Sequence, residues 1–183
     1  CPSEGIPELR KALAKDVGEK RNVKYGLDNV IIQPGGKPTI WKFLATVMNT
    51  GDEVLYPNPG YPIYESQINY QGGVALPYRY NQTENGFDID LDYIAKSISE
   101  KTKVLILNNY QNPMSASSSK EELKALSKLV LKYDLWVLSD DAYYEIRYSQ
   151  DSPNSILNFP GMKQRTVILY TFSKKYAMTG WRI

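Results

Sequence analysis

The chain has 183 residues, 42% of them hydrophobic and 23% charged, so it is long enough for one hydrophobic core, and a second full domain is not expected. Its 22 basic and 20 acidic residues leave a net charge of +2, which gives no electrostatic case for binding nucleic acid. There is no histidine and Cys1 is the only cysteine, which excludes Ser-His-Asp and Cys-His catalysis, Cys/His zinc sites and internal disulfides from this stretch.

Helical and strand patterns alternate along the chain. Amphipathic spacing predicts helices at 6–21, 39–48, 61–70, 91–98 and 119–133. Short apolar runs predict strands at 29–33, 53–57, 74–78, 103–108, 135–140 and 166–172. Ser119 and Glu122 predict a capping box at the start of the last helix, and the charges around Lys20, Arg21 and Lys24 are typical of a solvated helix face. Apolar strands alternating with helices predict a parallel sheet covered on both faces.

Four of the predicted strands are followed by glycine-rich or polar segments. Pro34-Gly35-Gly36-Lys37 follows 29–33, and Asn112 lies just beyond 103–108. Asp140 ends the strand at 135–140, while Ser173 and Lys174 follow the strand at 166–172. Ligands of parallel sheets lie beyond the carboxyl ends of the strands, so we expect these segments to converge on one rim. Taken singly, each segment has a simpler interpretation as a turn, a helix cap or a surface charge.

Together, these residue types match the needs of one kind of cofactor. A phosphate-bearing carbonyl compound requires a lysine for a Schiff base, and an arginine with backbone N–H groups for its phosphate. A pyridine ring requires a carboxylate that keeps its nitrogen protonated. The combination predicts pyridoxal 5′-phosphate.

Several segments occur in the order found in one enzyme family. They are GIPELRKALA, GDEVLYPNPGYPIYES, the Asn-Pro turn, SDDAYYE and SKKYAMTGWRI. In these segments the sequence resembles the class I/II aminotransferases, the fold-type-I pyridoxal phosphate enzymes similar to aspartate aminotransferase. The resemblance implies the major domain of that fold, a three-layer α/β/α sandwich with a mostly parallel sheet. It also implies ping-pong transfer of an amino group between an amino acid and a 2-oxo acid.

The resemblance implies catalytic roles for particular residues. Lys174 would form the Schiff base and, once released, would move a proton between the substrate's Cα and the cofactor's C4′. The register Ser-Lys-x-aromatic-x-Met-x-Gly-Trp-Arg selects it over Lys175. Asp140 would pair with the pyridinium nitrogen, while Asn112 and Tyr143 would hydrogen-bond the phenolic oxygen.

The remaining implied roles concern the ring face and the phosphate. Tyr61 would stack on the ring. The implied phosphate-binding residues are Gly36, Lys37, Thr171, Ser173 and Arg182. We expect Lys174 to be buried beside Arg182 and the cofactor, because burial next to a cation favours the neutral amine.

The chain departs from the family pattern at several positions. Ser115 stands where the family usually has glycine, which puts the conformation of that turn and the substrate preference in question. Tyr110 replaces a proline and Asp141 a glutamate, while Lys175 adds a charge close to the site. The catalytic positions are unchanged, so the predicted cofactor chemistry stands.

The resemblance also carries expectations about the whole protein. Residues 1–183 would be a partial cofactor-binding large domain, a truncated fragment without the family's N-terminal segment and C-terminal small domain. We expect the fragment to be inactive alone, and the full-length protein to be a homodimer. No signal peptide is visible and apolar runs such as 104–107 are too short to span a membrane, so we expect a cytoplasmic protein with no membrane partner.

Two alternatives to amino transfer remain open at this point. One is a carbon–sulfur lyase or synthase on the same scaffold, because fold and cofactor do not determine the reaction type. The other is the aminotransferase-like effector domain of a transcription regulator. The sequence identifies neither the amino donor nor the acceptor, and it predicts no metal site.

Overall fold

The computed structural model describes residues 2–84, 86–148 and 153–183, and Cys1 lies outside them. Its helices are α1 (Pro7–Lys20), α2 (Gly36–Val47), α3 (Ile63–Tyr70), α4 (Leu91–Ser97), α5 (Lys120–Lys132) and α6 (Phe172–Lys175). Its strands are β1 (Glu53–Pro57), β2 (Val74–Tyr78), β3 (Tyr80–Thr83), β4 (Gly86–Ile89), β5 (Thr102–Leu107), β6 (Trp136–Asp140) and β7 (Thr166–Leu169). None of the helices in these ranges is long and apolar enough to cross a membrane.

Five strands form one parallel sheet in the order β2-β1-β5-β6-β7. The central strand β5 shows why the sheet is buried on both faces. Its side chains alternate, so that Leu105 and Leu107 join one hydrophobic cluster while Val104 and Ile106 join the other. A strand that is apolar on both faces is typical of a parallel sheet between helices.

Helices cover the two faces of this sheet. Leu123 and Val130 of α5, with Ile94 of α4, pack in the cluster on one face. Ile40 of α2 and Ile68 of α3 pack in the cluster on the other face. The predicted three-layer α/β/α sandwich with a parallel sheet is therefore confirmed.

Most predicted elements are confirmed to within a few residues, including the Ser119–Glu122 capping box. The predicted strand at 29–33 is wrong. Its Ile32 N–H donates to the carbonyl of Glu4 at 2.9 Å, and the carbonyl of Val30 accepts from Arg10 Nε at 2.8 Å. These bonds hold the segment against the N-terminal residues and α1 instead of a neighbouring strand.

The antiparallel hairpin of β3 and β4 was not predicted. The sequence of β3, YNQT, has no run of apolar residues, and three of its four side chains are exposed. Hydrophobic periodicity therefore gives no strand signal at this position.

The interpretation of the basic cluster as a solvated helix face is wrong for Arg21. Its side chain is fully buried, and its Nε and Nη2 donate to Asp141 Oδ2 at 2.9 and 2.6 Å. Ser139 Oγ donates to the other oxygen of Asp141 at 2.7 Å, and the Arg21 guanidinium lies 3.8 Å from the ring centroid of Tyr144. This ion pair anchors the C-terminal end of α1 to the carboxyl end of β6.

Replacing Arg21 with alanine is expected to lower the free energy of unfolding by about 3 kcal/mol, because the carboxylate of Asp141 would stay buried without its cation. Urea titration measures the change. The matched control is Lys15→Ala on the same helix, where the exposed pair with Glu19 at 4.0 Å is of a kind that contributes about 0–1 kcal/mol. An Arg21 variant no less stable than this control would contradict the prediction.

Candidate active site

A cavity of about 410 Å³ lies at the carboxyl ends of the parallel strands. All ten predicted site residues line it: Gly36, Lys37, Tyr61, Asn112, Asp140, Tyr143, Thr171, Ser173, Lys174 and Arg182. Sequence reasoning missed six further lining residues, which are Ile40, Tyr64, Asn108, Ala142, Leu169 and Thr179. The volume is in the range of small-molecule sites. The structure thus brings together residues that are up to 146 positions apart, from Gly36 to Arg182.

Asp140 supplies a buried carboxylate at the end of β6. It is 5% exposed, and its Oδ2 accepts a hydrogen bond from Tyr64 OH at 2.6 Å. Its Oδ1 accepts a longer bond from the N–H of Ala142 at 3.2 Å. Burial raises the pKa of Asp140 to about 6, although both hydrogen bonds act to lower it. A buried carboxylate of this kind gains most from a cationic N–H partner, because an opposite charge favours its ionised form.

Two side chains hydrogen-bond Asp140: Tyr64 donates to its carboxylate, and Asn108 donates to its backbone carbonyl. The phenol of Tyr64 is fully buried, and its pKa is raised well above the ordinary value by burial and by the nearby charge of Asp140. Asn108 Nδ2 donates to the carbonyl of Asp140 at 3.0 Å, and its Oδ1 accepts from the N–H of Asn112 at 3.1 Å. Asn108 therefore sets the spacing between two predicted site residues. Tyr64 near the start of a helix and Asn108 after a strand match no known motif, so the sequence did not predict these contacts with Asp140.

The turn after Asn112 keeps a left-handed conformation without a glycine. Ser115 has φ of +57°, and its N–H donates to the carbonyl of Gln111 at 2.7 Å. The Gln111 side chain also accepts from the N–H of Met114 at 2.9 Å. These bonds hold a serine in a region that glycine adopts more easily.

In the segment after β7, the side chains of the two adjacent lysines have different surroundings. Thr171 caps α6, and its Oγ1 accepts from the N–H of Ser173 at 3.2 Å. Lys174 lines the cavity with its Nζ 5.7 Å from the ring centroid of Tyr143, whereas Lys175 Nζ lies 2.8 Å from Glu145 Oε2 and does not line it. Lys174 is exposed in this chain, so the expectation that it is buried is wrong.

One corner of the cavity suits an anion. Helix α2 begins at Gly36, and the N–H groups of a first helical turn have no acceptors within the helix. The guanidinium of Arg182 lies so close to Gly35 that a Cβ at position 35 would collide with its Nη2. Gly35 has φ of +88°, a conformation that side chains rarely adopt. Backbone N–H groups and a guanidinium are the usual ligands of a phosphate.

Within residues 2–84, 86–148 and 153–183, no group of three or more His, Cys, Asp or Glu side chains is placed to hold a metal ion. The cavity instead combines one buried carboxylate, two lysines and one arginine with backbone donors. This set of groups suits an anionic organic ligand with a basic nitrogen.

Comparison with known proteins gives a consistent result. The family model "Aminotransferase class I and II" matches residues 1–183. The aspartate aminotransferase of Musicola paradisiaca is 36% identical over 182 residues, which are 99% of this chain and 45% of that protein. The probable aspartate/prephenate aminotransferase of Aquifex aeolicus is 33% identical over an alignment of 184 positions, which covers 100% of this chain and 46% of that protein.

A solved structure agrees with these relatives. The aromatic aminotransferase from Pyrococcus horikoshii aligns with a TM-score of 0.94 at 30% identity, over 100% of this chain and 49% of that one. The chain spans about half the length of the curated relatives it matches.

Proposed function

Because this chain belongs to the class I and II aminotransferase family, we propose that its cavity holds pyridoxal 5′-phosphate and that the protein transfers an amino group between an amino acid and a 2-oxo acid. The observation that carries the proposal is the convergence of Asp140, Lys174 and Arg182 on one cavity. Their carboxylate, amine and guanidinium suit the ring nitrogen, the carbonyl carbon and the phosphate of the cofactor.

The anion-binding corner would hold the phosphate. The N–H groups of Gly36 and Lys37 stand at the positive end of α2, where a negative charge is stabilised. Arg182 would add a charge-assisted hydrogen bond, and Thr171 and Ser173 also line the cavity. Such a site would anchor one end of the cofactor while the other end reacts.

The other end of the cavity would orient the ring. Asp140 would hold a proton on the ring nitrogen, and the hydrogen bond from Tyr64 keeps its carboxylate in one orientation. Tyr61 would stack on the ring face, and its own ring is fixed by an edge contact with Tyr64 at 5.7 Å between centroids. Asn112 and Tyr143 would hydrogen-bond the phenolic oxygen.

Lys174 would be the reactive amine of the site. It would hold the carbonyl carbon of the cofactor and, once displaced by an amino acid, would take the proton from the substrate's Cα. When bound, the cofactor supplies an electron sink that stabilises negative charge at this carbon. The Nζ of Lys174 lies 5.7 Å from the ring centroid of Tyr143, the other residue that would contact the reacting end of the cofactor.

Gly35→Ala is expected to raise the Kd for pyridoxal 5′-phosphate by about tenfold. The added Cβ would collide with the guanidinium of Arg182, so Arg182 would have to move away. The expected change corresponds to the loss of one charge-assisted hydrogen bond, which contributes about 1.5 kcal/mol. Fluorescence titration of the cofactor measures this change. Gly51→Ala is the matched control, because Gly51 has a similar φ of +87° and a Cβ at position 51 meets nothing within 4 Å. Equal affinity in the two variants would show that Arg182 does not hold the phosphate.

A coupled assay tests the reaction itself. The intact protein that carries this chain is mixed with the cofactor, an amino acid and a 2-oxo acid, and the new amino acid and new oxo acid are quantified. Aspartate is the first donor to test, because two similar proteins are named for it. Stoichiometric formation of both products supports the proposal. Turnover that needs no 2-oxo acid would favour a carbon–sulfur lyase, and no turnover with any amino acid would argue against both enzymes.

We also propose that the intact protein is a homodimer, as the family resemblance implies. Light scattering of the purified protein measures its mass directly. A monomeric mass at assay concentration would contradict this proposal without affecting the assignment of the cavity residues.

A further inference from the structure

Four charged side chains and one tyrosine form a cluster outside the cavity lining, and its members are Asp16, Lys20, Glu145, Tyr170 and Lys175. Glu145 is its centre. Its Oε2 lies 2.8 Å from the Nζ of Lys20 and 2.8 Å from the Nζ of Lys175, and its Oε1 accepts from Tyr170 OH at 3.0 Å. Asp16 lies 2.7 Å from Lys20 and 3.7 Å from Lys175. Two cations therefore face two anions.

The cluster joins three segments, two of which carry predicted site residues. Asp16 and Lys20 lie on α1, one turn apart. Glu145 follows Tyr143 by two positions in the segment after β6, and Lys175 directly follows Lys174 in α6. Lys175 is therefore only one peptide unit from the predicted site residue Lys174.

The pair of Glu145 and Lys175 is more protected than an ordinary surface ion pair. Each of the two side chains is 18% exposed. Ionic screening is weaker for partly buried charges, so the pair holds its geometry better than an exposed one. The aromatic rings of Tyr170 and Tyr176 further enclose the ammonium of Lys175, at 5.7 and 4.7 Å from their centroids.

The surroundings favour the charged forms of both groups. Burial acts to lower the pKa of Lys175, but its hydrogen bonds, first of all that to Glu145, outweigh burial and raise this pKa. Burial acts to raise the pKa of Glu145, but hydrogen bonds from Lys175, Lys20 and Tyr170 outweigh it and lower this pKa. A lysine kept as an ammonium is not a nucleophile, because only the neutral amine attacks a carbonyl carbon.

We propose that Glu145 is a positioning residue that selects between two adjacent lysines: it holds Lys175 outside the cavity lining as an ammonium and so leaves Lys174 as the lysine that meets a carbonyl ligand. The inference rests on the proposed function, because it requires a cofactor with an aldehyde. It concerns the chain's own side chains, and it can be read without measuring enzyme activity.

Glu145→Gln tests the selection in the intact protein. The protein is mixed with pyridoxal 5′-phosphate, so that a lysine nitrogen adds to the aldehyde carbon and water leaves. Borohydride then delivers hydride to that carbon and leaves a secondary amine, and peptide mass mapping gives the share of label on Lys174 and on Lys175. We expect the wild type to carry its label on Lys174. The variant should carry at least about tenfold more on Lys175, because loss of an adjacent opposite charge shifts a pKa by about one unit or more.

Two controls separate this effect from a general loss of structure. Glu19→Gln removes an exposed carboxylate of the same kind on α1, and its labelling should match that of the wild type. The double variant Glu145→Gln with Lys175→Arg should return the label to Lys174, because a guanidinium forms no Schiff base under these conditions.

A measurement on the wild type keeps the inference testable even if the variant does not fold. Limited labelling with acetic anhydride across a pH series compares Lys175 with the exposed Lys15. We expect Lys175 to react only at a higher pH than Lys15. Equal reactivity of the two lysines, or an unchanged label distribution in a folded Glu145→Gln, would overturn the role of Glu145. Absence of label on Lys174 in the wild type would instead overturn the proposed function.

Discussion

Replacing Lys174 with alanine is expected to lower kcat for amino transfer by about 10⁴-fold, the upper end of what a positioned acid–base group contributes. The variant would lack both the amine that we propose holds the cofactor and the base that we propose takes the proton from the substrate's Cα. Steady-state assays with saturating pyridoxal 5′-phosphate measure the effect, so that a weakened affinity is not mistaken for lost chemistry.

Two further variants serve as controls for this result. Lys124→Ala removes an exposed lysine from α5 on the opposite side of the sheet and should leave kcat unchanged. Lys174→Arg keeps the positive charge but provides no neutral amine, so it should be as inactive as the alanine variant. Activity retained in Lys174→Arg would mean that the residue contributes only its charge, which would contradict the assigned role.

Asp140→Ala should lower kcat by about 10²–10³-fold while the cofactor stays bound, a loss comparable to removing one preorganised electrostatic partner from a reaction centre. Asp140 is the buried acidic residue of the cavity lining, and burial raises the pKa of its carboxyl group to about 6. Among the described residues that line the cavity, no other has a carboxylate, so none could replace Asp140 in keeping the ring nitrogen protonated. Cofactor stoichiometry and kcat are measured on the same preparation.

Asp140→Asn isolates the contribution of the charge. The amide has nearly the same size, and its oxygen can still accept the hydrogen bond from Tyr64. We therefore expect the asparagine variant to be nearly as slow as the alanine variant. Unchanged turnover in either variant with bound cofactor would contradict the proposed role of Asp140.

The fold was largely predictable because its central strands have only one favourable environment. The apolar residues of β5 alternate between two hydrophobic clusters, and such strands are stable only between two layers of helices. The positions of Asn112, Asp140 and Lys174 follow from the same fact, since the carboxyl ends of parallel strands share one edge. The start of α2 reaches the same cavity although the strand predicted before it does not exist.

The features that the sequence did not predict depend on contacts between distant residues. Tyr64 meets Asp140 across 76 positions, and Arg21 meets Asp141 across 120. In the sequence, Tyr64 is one of 15 tyrosines and Arg21 stands among other charged residues. Neither residue has a local pattern that distinguishes it from an ordinary surface side chain. Burial and pairing of this kind are properties of the packed fold, and no local pattern encodes them.

The most direct test of the central claim is to trap the cofactor on the wild-type protein. Pyridoxal 5′-phosphate is added, the complex is reduced with borohydride, and the labelled peptide is identified by mass. Pyridoxal without the phosphate is the matched control, because it lacks the group that the corner formed by α2 and Arg182 would bind. We predict one adduct on Lys174 that is absent from Lys174→Ala and much weaker with pyridoxal. Labelling scattered over the exposed lysines, with no excess on Lys174, would contradict the account.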